Sequence, residues 1–303
     1  MERSELHSIA GEHYGMMKEY ARDSFNGFDH YSIHQFRVEY KKLRAFLRMI
    51  SEDNNHYHLI QMSKDLKHTY KITGTIRDLQ LLSTDVLQLL NGHKARTNSC
   101  LKAIRRKIQR QQRKLKDMLA GKPIKKSRKK TDRILPDTFS FQNYIRYIAG
   151  CQNSTKSILI RSDFNDEDLH ALRKILKDLF NNSGLFTNEK NEQTQNNGND
   201  AVMTNPMLEK LLVELGIIQD QCTSLALLGK PFLHKWSKKN RKQAAEMKHV
   251  IVQRKKRVRQ TVLEKLSSFN EPFSVRLLNE NDQLHDSPVV RELPHDRFSD
   301  VNI

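Results

Sequence analysis

Ile33-His34-Gln35-Phe36-Arg37-Val38-Glu39-Tyr40-Lys41-Lys42-Leu43-Arg44-Ala45-Phe46-Leu47-Arg48 carries two interleaved periodicities. Ile33, Phe36, Tyr40, Leu43, Leu47 and Ile50 recur at spacings of 3, 4, 3, 4 and 3, which places them on one stripe of a helix facing a bundle core. His34, Arg37, Lys41, Arg44 and Arg48 recur at 3, 4, 3 and 4. They form a second stripe displaced by one residue, about 100° round the helix. Like charges three and four residues apart repel by a few tenths of a kcal/mol per pair, and Glu39 is the only acid inside the segment. A charge run is most often a solvated face. This one borders the apolar seam and is nearly all one sign, where an idle face mixes Glu with Lys.

The helical reading extends outward. All seven prolines (Pro123, Pro136, Pro206, Pro231, Pro272, Pro288, Pro294) fall between or after periodic segments, and only 11 glycines are present. Proline costs about 3 kcal/mol inside a helix. Alternating Val-rich runs with hairpin dipeptides are absent, so the chain reads as all-α. Helices are expected over 4–24, 31–51, 56–90 with a break allowed at Gly74, 94–120, 138–160, 166–183, 206–229 and 238–268. Asn205-Pro206 is an N-cap followed by proline at the first helical position, and Asn165 precedes the acidic first turn Asp166-Glu167-Asp168, which suits a helix dipole. Residues 187–200 are a polar, low-complexity loop. The expected organisation is a first set of four helices in 1–122, a basic linker over 123–136, a second set in 137–270, and an acidic tail over 271–303 with seven acids against three arginines.

Within 303 residues, 53 Lys and Arg face 35 Asp and Glu, a formal charge of +18. Residues 94–130 hold 16 basic residues and one acid, Asp117; residues 235–259 hold 11 and one acid, Glu246. Two basic blocks on an otherwise mildly acidic chain point to a polyanionic partner. A hydrophobic content of 37% is too high for a wholly disordered polycation. No apolar run reaches the roughly 18 residues of a membrane span, and the polar Met1–Glu5 stretch is unlike a secretion signal. Cys100, Cys151 and Cys222 are scattered, without CxxC spacing, which suits a reducing cytoplasm.

A related pattern returns 136 residues after the first. His170, Arg173 and Lys177 stand at 0, +3 and +7, as do His34, Arg37 and Lys41. Each copy is followed by Gly and Asp four apart, Gly74 and Asp78 in the first, Gly216 and Asp220 in the second. The His-to-Gly distances are 40 and 46 residues, and the 187–200 loop absorbs the difference. This is an internal duplication.

His34-x-x-Arg37-x-x-x-Lys41-x-x-Arg44, Gly74-x-x-Arg77-Asp78, His170-x-x-Arg173-x-x-x-Lys177 and Gly216-x-x-Gln219-Asp220 resemble the motifs of the conserved histidine α-helical domain, CHAD, over residues 4–268. The resemblance implies two pseudo-symmetric antiparallel four-helix bundles with a basic groove or pore between them. It also implies binding of inorganic polyphosphate and association with polyphosphate granules. Some members are fused to a CYTH triphosphatase domain, but no ExExK signature of that partner occurs here. The second copy departs from the pattern, with Phe180 matching Arg44 and Gly184 matching Arg48.

A phosphate polymer offers charge and no bases to read, and a rank of Arg and Lys on a rigid helix suits it. The expected polyphosphate-binding residues are His34, Arg37, Lys41, Arg44 and Arg48; Lys67, Lys71 and Arg77; Lys102, Arg105 and Arg106; and His170, Arg173, Lys174 and Lys177. Neighbouring cations discourage protonation of the two histidines in the empty protein, and a bound polyanion favours it. Asp78 and Asp220 read as residues that orient the basic side chains, or as plain helix-turn residues; Gly74 and Gly216 permit close packing or a local bend.

Three rivals remain. Nucleic acid would be attracted by the charge, as an adventitious partner, but the basic stripes lack interleaved aromatics for stacking bases. A metal site is disfavoured because His34 lies beside Arg37 and Lys41 and suitable Cys and carboxylate ligands are missing. Catalysis finds no P-loop, HExxH or GxSxG motif and no carboxylates paired beside the stripes to hold Mg²⁺. No cofactor, metal or membrane is expected.

Overall fold

The computed structural model describes residues 1–25, 29–51, 60–89, 99–161, 163–183, 185–186, 206–229 and 238–268, and among these described residues nine α-helices form. They are α1 (Arg3–Phe25), α2 (His30–Ile50), α3 (Lys64–Leu89), α4 (Ser99–Ala120), α5 (Pro123–Ile134), α6 (Phe141–Leu159), α7 (Asp166–Asn182), α8 (Pro206–Leu227) and α9 (Lys238–Ser268). The only β pairing among the described residues is a single bridge between Glu2 and Thr138. No described helix is long and apolar enough to cross a membrane.

Seven of these helices follow the expected periods to within a few residues; the third, expected from 56, begins only at Lys64, and residues 60–63 before it are not helical. The Asp29 side chain caps α2 by accepting from the Ser32 amide at 2.8 Å. Asn165 and Asp168 cap α7 reciprocally, each side chain accepting from the other's backbone N–H. The acidic first turn of α7 also ties down α9, because Asp166 accepts from Lys255 and Arg259. The loop 187–200, the tail 271–303, Gly184 and Asn205 lie outside the described residues.

Two expectations are corrected. Residues 123–136, read as a linker, contain a packed helix, α5. Lys122 adopts the left-handed region at φ 55° and turns the chain out of α4, and Pro123 then opens α5 with its φ already helical. Ile124, Ser127 and Thr131 recur at helical spacing between the lysines and are buried. The buried Tyr14 hydroxyl lies 3.0 Å from Ser127 Oγ and 2.7 Å from Thr131 Oγ1, fastening α5 to α1. A small-polar buried stripe has no hydrophobic period to announce it, which is why the lysines dominate the sequence reading. Nor does Gly74 break α3, which runs unbroken through it.

Three hydrophobic cores hold the helices. The first joins Leu6 and Tyr14 of α1, Phe36 and Leu43 of α2, Ile76 of α3 and Leu115 of α4, and reaches Tyr147 of α6. The second joins α6 to α9 through Ile158, Leu172, Leu211 and Val262. The third brings Leu79, Leu82 and Val86 of α3 and Leu101 and Ile104 of α4 against Ala244, Met247 and Ile251 of α9. Apolar contact therefore runs across residue 122 in both directions. Asn182 adds a polar lock: its buried Nδ2 donates to the Ala45 carbonyl of α2 at 3.1 Å and lies 3.2 Å from the Tyr147 hydroxyl.

Candidate functional site

The stripe Ile33, Phe36, Tyr40, Leu43, Leu47 and Ile50 is buried, as its period requires. Burying it orients the neighbouring stripe, about 100° away, toward α7. α2 packs against α3 and α7, and α8 packs against the same two helices, so four helices close a ring. Into it come Arg37, Lys41, Arg44 and Arg48 from α2, Arg77 from α3, and Arg173, Lys174 and Lys177 from α7, all half-buried.

Charges of each rank act on the other. Lys174 is pushed down by burial and then by Arg44 and Arg48. Lys177 is lowered by burial, Arg173 and Lys42. For Lys41 the Tyr70 hydroxyl holds the ammonium up, but burial and the charges of Arg37, Arg173 and Arg44 outweigh it and the net shift is down. Burial also lowers Arg77 and Arg173, with Asp220 opposing both shifts. His34 is solvent-exposed, yet the protein around its ring lowers it, with Arg77, Lys41 and Arg37 adding to the fall. His170 falls to about 4 through burial, Lys174, Arg173 and Lys41. The cluster thus carries a positive potential that its own acids do not cancel. Arg44 Nε, Arg173 Nε and His170 Nδ1 are buried without a hydrogen-bond partner.

Glu39 does not offset the stripe: it is buried on the opposite side of α2, where it holds His13 at 2.7 Å and Lys42 at 2.9 Å. Asp78 and Asp220 both enter the cluster. Burial raises Asp78, with Arg37 opposing and Asp220 adding to the rise. Asp220 keeps solvent access, yet the protein around its carboxyl raises it too, against Arg173, Lys41 and Arg77. The sequence reading found no paired carboxylates near the stripes; the fold brings these two into each other's field from positions 142 residues apart.

The remaining site expectations divide. Lys67 and Lys71 share the register of Gly74 and Asp78 on α3, at the edge of the cluster; Lys67 donates to Gln61 at 2.7 Å and Lys71 is exposed. Lys102, Arg105 and Arg106 do not join it. α4 packs on the Leu79, Leu82 and Val86 side of α3, roughly 100° or more round from Gly74 and Arg77, and these three cations are exposed. Their closeness in sequence to an apolar seam reflected a different core.

Three participants escaped the sequence reading. Tyr70, one turn before Gly74, stacks on Tyr40 with centroids 3.9 Å apart and lies beneath the Arg37 guanidinium, Cζ 4.4 Å from its ring centre. Asp178, one turn after Lys174, pairs with Arg48 at 2.7 Å across α2 and α7. Phe180, the departure from the repeat, carries the Lys177 ammonium 4.7 Å above its ring. Tyr70 stands four residues before Gly74, Asp178 four after Lys174 and Phe180 three after Lys177, spacings that put each on the same helix face as a residue already expected in the site.

The described residues form an all-helical fold around this basic cluster, and the chain belongs to the CHAD domain family, whose sequence model matches residues 8–229. Its structure is similar to the crystal structure of the CHAD domain from the plant Ricinus communis, with a TM-score of 0.67 at 14% identity, over 88% of this chain and 91% of that one. No curated protein matches the sequence significantly.

Proposed function

We propose that the protein binds inorganic polyphosphate in the cluster formed by α2, α3, α7 and α8, and that it does so without catalysis. The observation that carries this reading is the meeting of Arg44 and Arg48 with Lys174 across the α2–α7 contact, so that the like charges depress the Lys174 pKa. Such an arrangement costs stability unless an anion neutralises it, and the unpartnered Nε donors of Arg44 and Arg173 offer that anion buried hydrogen bonds. Family membership supports the same ligand class. Asp78 and Asp220 lie in the field of Arg37, Arg77, Lys41 and Arg173, and that positive charge disfavours a divalent cation between them. That leaves phosphoryl transfer without its usual electrophile. The role that follows is a cytoplasmic binding module that docks on polyphosphate granules.

Titration with polyphosphates of defined length tests this. Log K should fall with log salt by about 0.7 per phosphate engaged, by analogy with single-stranded nucleic acids. The double variant Arg44→Gln plus Lys174→Gln should bind at least about tenfold more weakly, since each charged hydrogen bond contributes about 1.5–3 kcal/mol. Unchanged affinity in that variant removes the cluster from the function, and steady release of orthophosphate removes the non-catalytic assignment.

A further inference from the structure

The larger basic block does not serve the central cluster. On α4, Lys102, Arg105, Arg106, Arg110, Arg113, Lys114 and Lys116 are exposed, and Asp117 is the only acid on the helix. We infer that α4 is a second, separate anion surface that takes the backbone of double-stranded DNA. It is independent of the polyphosphate assignment, because α4 lies on the other side of α3 from Arg77 and Gly74.

The distribution of charge around the helix selects the partner. Leu101, Ile104, Leu115 and Leu119 form the buried seam. At 100° per residue, the cations cover about 200° of the remaining circumference. Arg106 and Arg110 form the crest, Arg105 and Lys116 one flank, Lys107 and Lys114 the other. A single linear polyanion meets one rank of charge at a time, and α2 and α7 supply such ranks. A helix that is basic on its crest and both flanks matches a groove with a phosphate wall on each side, and the major groove of B-DNA, about 12 Å wide, admits one helix. The 22 residues of α4 span about 33 Å at 1.5 Å per residue, comparable to one turn of the duplex at about 34–36 Å.

Single strands fit less well. α4 contains no aromatic residue, and single-strand receptors rely on aromatic platforms for stacking unpaired bases. The second basic block lies on a neighbouring helix: α9 shares the third core with α4, and its Arg241 and Lys242 are exposed. Like-charge pairs at 102/106, 106/110 and 110/114 repel along the helix, a cost that phosphate contact offsets.

The test uses the full chain and a mixed-sequence 24-base-pair DNA duplex, followed by fluorescence anisotropy at several salt concentrations. The variant Arg106→Gln/Arg110→Gln/Arg113→Gln keeps good helix formers at exposed positions. It should bind the duplex at least about tenfold more weakly, with a salt slope reduced by about 2.7, at 0.9 per phosphate contact. Its polyphosphate titration should match that of the parent. Arg105→Gln with Lys114→Gln, which removes one cation from each flank instead, should lower the slope by about 1.8, so the proposal does not hang on one variant folding. Four results would overturn it: no duplex binding by the parent chain at low salt; duplex binding that survives both α4 variants but falls in Arg44→Gln/Lys174→Gln; polyphosphate lost in place of duplex; or oligo(dT) bound as tightly as the duplex.

Discussion

The Arg37 guanidinium occupies the space that a side chain at position 74 would need: a Cβ on Gly74 would lie 2.6 Å from Arg37 Nη1. The same nitrogen donates to the Tyr70 carbonyl at 3.0 Å. In the second copy Arg173 takes the corresponding place on Gly216, where a Cβ would lie 3.3 Å from its Nη2. The His-x-x-Arg and Gly-x-x-x-Asp elements are therefore two parts of one arrangement, with the glycine of one helix seating the arginine of its neighbour. The two seats differ in tightness by several tenths of an ångström, and that difference can be tested.

Replacing glycine by alanine inside a helix contributes about 1 kcal/mol through propensity alone. At position 216 Arg173 needs to yield only slightly. Gly216→Ala should raise the melting temperature by about 2–4 °C, as 1 kcal/mol does in a protein of this size, with polyphosphate affinity little changed. At position 74 the guanidinium must leave the Tyr70 ring and carbonyl. Gly74→Ala should gain no melting temperature and should bind several-fold more weakly. Identical behaviour of the two variants in melts and titrations would contradict the seating argument.

How far these features are legible in the sequence depends on whether periodicity announces them. The α2 stripes are legible because one apolar face and one cationic face each keep a helical period, and seven helix spans follow from the same signal. The return of His170, Arg173 and Lys177 on α7 is legible as a repeat. That Arg77 is coupled to Asp220, or Arg48 bonded to Asp178, depends on which helices meet, and nothing local encodes that. Tyr70 hides for a related reason. An aromatic residue at helical spacing reads as core, and here it is a platform inside a polar site. The α4 cations show the converse error, since proximity to an apolar seam does not say which core the seam belongs to.

The Arg48–Asp178 pair predicts opposite signs for stability and binding. Its carboxylate is nearly buried, at 11% side-chain exposure, and the guanidinium is at 26%. Asp178→Asn leaves Arg48 without that carboxylate and also strips Lys174 of a charge that opposes its downward shift. The variant should lose about 1–3 kcal/mol of stability, visible in denaturant unfolding. The cluster becomes more positive, so polyphosphate should bind more tightly. A fall in both quantities would mean that the pair only positions the helices.

Acid pH supplies a third check through His170. Its folded pKa of about 4 lies below the unfolded value of about 6.5, so below that value the unfolded chain binds a proton the native state refuses. The native state keeps its full advantage above about pH 6.5 and loses it progressively as pH falls toward 4. A polyanion reverses the preference by stabilising the imidazolium against Lys174, Arg173 and Lys41. Binding should take up protons, and affinity should strengthen from pH 7 to pH 5. His170→Gln should flatten part of the profile in titrations across that range; an unaltered profile would exclude the histidine.

Two stacked tyrosines report on the cluster directly. Burial raises Tyr40 to about 12, with Arg44 only partly opposing. Burial also raises Tyr70, but Lys41, Arg37 and Arg44 act more strongly together and its net shift is down. Rings 3.9 Å apart should therefore ionise on opposite sides of the ordinary phenol value of about 10. In an alkaline titration followed by phenolate absorbance, Tyr70→Phe should remove an early phase and Tyr40→Phe a late one. Lys41→Met should delay the early phase, because it removes the largest charge that favours the Tyr70 phenolate. Polyphosphate should delay it as well, since an anion seated among Arg37, Lys41 and Arg44 cancels the potential that lowers Tyr70. An early phase insensitive to polyphosphate, in a protein that still binds it, would place the ligand elsewhere on the molecule.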